Sequence, residues 1–295
     1  MKISVKYVII LFTFFLLGCS AEETAVLPPT STPTPVPTAT PPPTPTPEWY
    51  REGWDLVWQD EFDGPDIDLE KWSHEVNGRG GGNNELQYYT DFPENSFIED
   101  GNLVIEAREE RYIGRSYTSA RMRTLGKGDW QYGRFEARIK LPTGQGLWPA
   151  FWMLPSEWRY GGWPSSGEID IMELVGHEPD TVHGTIHFGG LGNHLYTGKP
   201  FSLDAGIFND DFYIFAVEWE EREMRWYIDD EHYLTQNSWS TRNADYPAPF
   251  DQPFHIILNV AVGGNWPGSP DETTVFPQRM EVDYVRVYQR PSDEQ

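Results

Sequence analysis

From residue 48 to the C-terminus the chain is a run of short segments in which apolar and polar residues alternate, each closed by a turn-forming cluster. Residues 102–107, 133–140, 212–219, 224–228 and 280–288 carry this pattern. Residues 80–84 (Gly-Gly-Gly-Asn-Asn) and 229–231 (Asp-Asp-Glu) are typical of the punctuation. A period of two sends successive side chains to opposite faces of a strand. Helix signals are sparse. The pattern predicts an all-β fold, a two-sheet antiparallel sandwich. No repeat of 20–50 residues is apparent, which argues against a propeller or solenoid. The length of this stretch suits one domain.

One strand carries an unusual load. Residues 167–173 read Gly-Glu-Ile-Asp-Ile-Met-Glu, with Leu174 and Val175 beyond. Glu168 and Asp170 share a face by alternation, whereas Glu173 should point the other way. One extra residue held as a β-bulge near Ile171 and Met172 returns Glu173 to the first face. Three like charges then line one surface, at a cost that folding alone does not explain. Crowded carboxylates raise the pKa of at least one of them. A proton donor beside a second carboxylate is the equipment for cleaving a glycosidic bond, with the two groups about 5–5.5 Å apart in retaining enzymes. The expected roles are Glu168 as nucleophile, Glu173 as acid/base, and Asp170 as a hydrogen-bonding partner that tunes Glu168.

This motif resembles the bulged Glu-x-Asp-x-x-Glu signature of glycoside hydrolase family 16, in which the first Glu is the nucleophile and the last the acid/base. The mixed-linkage lichenases lack the extra residue, so Met172 resembles the laminarinase-like side. The resemblance extends over residues 54–289, through 58–63 (Trp-Gln-Asp-Glu-Phe-Asp), 83–89, 118–121, 148–153 (Trp-Pro-Ala-Phe-Trp-Met), 183–188 and 259–268. It implies a concanavalin A-like β-jelly roll with a concave substrate groove. The implied activity is endo-hydrolysis of β-1,3-glucan with retention, needing no cofactor for the chemistry. The rivals are a mixed-linkage glucanase, an agarase or a transglycosylase, and a non-catalytic glucan-binding module.

Sugar rings stack their C–H faces on aromatic planes, and the chain carries 13 Trp. Trp148 and Trp152 lie on one face of an expected strand, and Trp266 sits in a Gly/Pro-rich loop suited to a groove edge. The tryptophans of laminarinase-like relatives that match Trp148 and Trp152 line the non-reducing side. Asn84 and Arg121 resemble the family's polar contacts to sugar hydroxyls, with Glu85 placed to orient such a donor. His187 is expected to reach Asp170 or the leaving group. His183 reads as structural, and metal ligation by the two histidines lacks an evident third ligand. By resemblance alone, a structural Ca²⁺ is expected at Glu61, Gly101 and Asp283, through carboxylate and carbonyl oxygens.

The N-terminus has the form of an export signal. Lys2 and Lys6 precede an apolar run over residues 7–17 that is short for a membrane span. The run ends in Leu16, Leu17, Gly18 and Cys19, which resembles a lipobox with Cys19 as the lipidated residue. Cys19 is the only cysteine, so no disulfide can form within the chain. Residues 24–47 are nearly all Pro, Thr, Ala, Val and Ser, a composition that favours polyproline II. At about 3.1 Å per residue such a tether reaches ~75 Å. The expected organisation is a signal at 1–18, a lipidated Cys and linker at 19–48, and a catalytic domain at 49–291, held on the extracellular face of the cell envelope. A net charge of −24 argues against nucleic acid and polyanionic sugars as partners and suits a neutral polysaccharide. Membrane contact is expected only through the lipid, and the domain is expected to be monomeric.

Overall fold

A computed structural model describes residues 49–291. The export signal, Cys19 and the linker lie outside the described residues. In chain order the strands are β1 (Asp55–Asp60), β2 (Ser73–His74), β3 (Gln87–Tyr89), β4 (Ser96–Glu99), β5 (Asn102–Tyr112), β6 (Arg115–Ser119), β7 (Arg121–Arg123), β8 (Asp129–Trp130), β9 (Gly133–Lys140), β10 (Leu147–Pro155), β11 (Glu168–Leu174), β12 (Thr181–Gly190), β13 (Asn193–Ser202), β14 (Tyr213–Glu220), β15 (Glu223–Ile228), β16 (Glu231–Gln236), β17 (Phe254–Val262) and β18 (Gln278–Gln289). Among the described residues the only helical piece is a 3₁₀ turn at Gly80–Gly82.

The strands form two sheets, as the alternation predicts. A ten-stranded sheet runs β16-β15-β14-β9-β18-β5-β6-β3, with β1 also on β18 and β4 on β5. An eight-stranded sheet runs β13-β12-β11-β10-β17-β7-β2, with β8 on β17. Pairing is antiparallel with one departure among the named strands: β3 joins β6 in parallel. The chain reaches β3 from the other sheet, tied there by Leu86 N–H donating to Val262 O at 2.7 Å. It therefore enters the edge in the same direction as β6.

The sandwich closes on apolar side chains contributed alternately by both sheets. Phe135, Phe215, Val217 and Val285 face Phe151, Ile169, Ile256 and Leu258 in a core from which water is excluded. Strand β17 is buried along its whole length. Its Ile256, Leu258, Val260 and Val262 enter the core, while Asn259 and Ala261 face a groove on the outside of the eight-stranded sheet. The same division holds on β10, where Phe151 and Met153 pack inward and Trp148, Ala150 and Trp152 line the groove.

Candidate active site

The acidic strand β11 crosses the groove floor. Against β10, Trp152 pairs with Asp170 and Phe151 pairs with Met172, so one residue, Ile171, is skipped. Against β12, Asp170 pairs with Thr185 and Glu173 with His183, with the register shift between them. Ile171 and Met172 are consecutive, yet both lie in the hydrophobic core. Burying two adjacent apolar side chains on one face is what the bulge accomplishes, and it turns Glu173 outward. Glu168, Asp170 and Glu173 consequently line one groove of about 710 Å³.

Neighbouring elements fix this strand tightly. From the opposite sheet Trp226 Nε1 donates to the Asp170 backbone oxygen at 2.9 Å. That approach is possible because Gly184 on β12 has no Cβ; one built there would stand 2.6 Å from Trp226 Cδ1 and 2.5 Å from the Tyr233 hydroxyl. Gly167 enters β11 with φ +85°, a left-handed conformation that favours glycine, and a Cβ there would meet Phe250 at 2.7 Å.

Each glutamate accepts from an indole. Trp163 Nε1 donates to Glu168 Oε2 at 2.9 Å, and Trp148 Nε1 donates to Glu173 Oε1 at 3.0 Å. Burial and the neighbouring Asp170 charge push both carboxyls up to about 8, against the favourable field of His187 and these indole bonds. Burial raises Asp170 as well. Three such groups cannot all be ionised near neutrality, so the cluster holds at least one proton. His187 stands over the other end, with Nε2 3.2 Å from Asp170 Oδ2 and 3.8 Å from Glu168 Oε1.

Of the residues singled out by sequence, Arg121, Trp148, Trp152, His187 and Trp266 line the groove with the three acids. The Arg121 guanidinium lies 4.6 Å over the Trp152 ring, and Trp152 Nε1 donates to Asn259 at 2.7 Å. Trp266 is 41 % exposed at the rim and meets Trp148 edge-on.

Several expectations need correction. Asn84 is not in the groove wall: its left-handed backbone (φ 60°) directs the side chain to Asn265, and Asn83 takes the wall position. Glu85 does not orient Asn84; it is buried and accepts from Gln87 at 2.6 Å and Tyr89 at 3.2 Å. Asp170 forms no hydrogen bond with Glu168; its Oδ2 faces His187 instead. His183, read as structural, lines the groove opposite Glu173 and packs edge-on against Trp266 at 4.9 Å. The expected calcium positions lie on the other sheet. Glu61 accepts from Arg286 Nε and Nη2 at 2.8 and 2.7 Å, and Asp283 from Arg138 at 2.7 Å. The oxygens left for a cation are the backbone carbonyls and an Asp283 carboxylate already facing a guanidinium.

Sequence reading overlooked the far wall: Trp158, Trp163, His194 and Tyr196. Trp163 lies five residues before Glu168 in a turn, so no strand periodicity marks it. Tyr196 was legible only through register, because it pairs with His187 across β12 and β13.

Comparison with known proteins agrees with this geometry. Residues 84–286 match the pattern of glycosyl hydrolases family 16. A β-glucanase of Rhodothermus marinus is 50 % identical over 243 residues, covering 80 % of this chain and 85 % of the relative. Among solved structures, the laminarinase from Rhodothermus marinus superposes with a TM-score of 0.74 at 48 % identity, covering 81 % of this chain and 98 % of the other. The endo-β-1,3-glucanase from Pyrococcus furiosus does so with a TM-score of 0.71 at 43 % identity, covering 81 % and 95 %.

Proposed function

The chain belongs to glycosyl hydrolases family 16, and from that premise we propose that it is a retaining endo-glycosidase that hydrolyses internal β-1,3-glucosidic bonds of laminarin-type glucans. The observation that carries this reading is the bulge that gathers Glu168, Asp170 and Glu173 on one groove floor. Glu168 attacks the anomeric carbon while Glu173 protonates the departing glycosidic oxygen. Glu173 then takes a proton from water, and the hydroxide releases the sugar from Glu168. Asp170 lies beside Glu168, with the His187 imidazole nitrogen 3.2 Å from its carboxyl oxygen. The indole bond from Trp163 stabilises the ionised form of Glu168 that attacks. Trp152 with Arg121 over it, and Trp148 with Trp266 at the rim, offer ring faces and donors to neighbouring sugars.

The substrate class is a neutral β-glucan, taken up by a monomer. The relatives that support the β-1,3 assignment are those named above as laminarinase and endo-β-1,3-glucanase. Lipidation at Cys19, with the linker to residue 48 as tether, places the domain at the extracellular face of the envelope in this proposal.

The test is release of reducing sugar from laminarin, lichenan and agarose. Laminarin should be cleaved fastest. Glu168→Ala and Glu173→Ala should each lower turnover by about 10²–10⁴-fold or more while leaving the fold intact. Undiminished laminarin hydrolysis by either variant overturns the assignment. Binding without sugar release by the unmodified chain would instead indicate a glucan-binding module.

A further inference from the structure

We propose that the groove floor is also a reversible Zn²⁺ site, formed by Glu168 Oε1, Asp170 Oδ2 and His187 Nε2, through which the metal inhibits the enzyme. Donor atoms of these three residues all lie within 4.8 Å of one another. His187 Nε2 is 3.2 Å from the Asp170 oxygen and 3.8 Å from the Glu168 oxygen. Tetrahedral zinc with bonds of about 2.0–2.2 Å places its ligands roughly 3.3–3.6 Å apart, so small side-chain movements close the set.

A second observation points the same way. Asp170 is 2 % exposed, and its Oδ2 has no hydrogen-bond partner. A buried acceptor left unpaired is costly and calls for a ligand. The neighbouring imidazole could leave it so. His187 Nδ1 lies 2.7 Å from His194 Nε2. With the proton of that bond on His187 Nδ1, Nε2 would present a lone pair towards Asp170 Oδ2, 3.2 Å away. A cation between the two satisfies both. His194 then acts as the outer partner that holds the imidazole in its metal-binding tautomer.

The remaining conditions are met. Trp163 engages Glu168 through Oε2, which leaves Oε1 free. The groove opens to solvent, giving an entry path and a fourth position for water. One imidazole with two carboxylates suits zinc, whereas Ca²⁺ and Mg²⁺ seek more oxygen donors than stand here. Two mutually repelling carboxylates gain from a dication. His183, the other histidine of the pair first considered, takes no part, because it packs against Trp266. Zinc bound here ties up the carboxylate that must attack the sugar, so metal and oligosaccharide exclude each other. That inhibitory consequence rests on Glu168 being the nucleophile; the binding itself does not.

Calorimetry of the full chain with ZnCl₂, in chelator-free buffer, reads the site directly. One Zn²⁺ should bind per groove, be displaced by laminari-oligosaccharide, and be removed by EDTA with recovery of activity. CaCl₂ should bind there at least ten-fold more weakly. His187→Ala should weaken Zn²⁺ at least ten-fold, and His194→Ala about ten-fold or more through loss of the outer bond. Glu173→Gln, whose side chain is not a ligand, should retain the affinity even with hydrolysis lost. Zinc affinity unchanged in His187→Ala, or zinc and oligosaccharide bound together without competition, overturns the proposal. Because binding is read without turnover, failure of the glucanase assignment leaves a distinct result.

Discussion

Glu173→Gln isolates the cost of crowding the three acids. Glutamine keeps the shape of the side chain and an acceptor for Trp148 Nε1, but carries no charge. Folding pushes the Glu173 carboxyl from 4.5 up to about 8. The folded state thus holds this proton more tightly than the unfolded one. The stability associated with it is full below about pH 4.5 and is lost as the pH rises towards and through about 8. Taken alone, that displacement bounds the loss at ~5 kcal/mol. Water in the open groove and the sharing of charge with Glu168 and Asp170 reduce it, so ~1–3 kcal/mol is expected. At pH 8.5 the variant should therefore be more stable than the parent. A gain of ~2 kcal/mol corresponds to roughly 4–8 °C in unfolding midpoint for a domain of this size. At pH 4.5 the two proteins should unfold together. Thermal or urea unfolding at pH 4.5, 6.5 and 8.5, with EDTA present, measures the difference. A gain that does not grow with pH, or a variant less stable at pH 8.5, would refute the reasoning.

Other perturbations probe separate links. Trp148→Phe removes the indole bond that favours ionised Glu173, so the alkaline limb of the kcat/KM profile should move upward; an unmoved or lowered limb contradicts the proton-donor role. Trp226→Phe strips the buried Asp170 carbonyl of its donor, and should cost ~1–3 kcal/mol in urea unfolding. Arg121→Ala removes the guanidinium above Trp152 and should raise KM for laminari-oligosaccharides more than it lowers kcat. Cys19→Ser should move the protein from the membrane fraction to the soluble fraction on cell fractionation.

The strands were legible because half-buried sheets impose a period of two, and the chain obeys it. Residues 133–140 coincide with β9, and residues 212–219 differ from β14 by one position at each end. What alternation cannot supply is the approach of elements distant in sequence. His194 and Tyr196 reach the groove through the pairing of β13 with β12. Trp163 reaches Glu168 through a turn, and Asn83 replaces Asn84 through one left-handed residue. Periodicity does not encode such geometry.

The bulge stands between these two cases. It breaks the alternation, yet it is written in the sequence as two adjacent apolar residues between acids. A regular strand with Glu168 and Asp170 in the groove would send Met172 into the groove and Glu173 into the core. Burying an ionised carboxylate in that core would cost several kcal/mol, and exposing Met172 would forfeit about 1.5–3 kcal/mol. The skipped residue leaves part of one ladder unpaired, at about 0.5–1.5 kcal/mol for a hydrogen bond. The irregular strand is therefore the cheaper solution, and the acids converge as a consequence of where Ile171 and Met172 must go. Function here follows from hydrophobic sorting: the core positions the carboxylates, and the groove supplies the indoles and imidazole that set their charge.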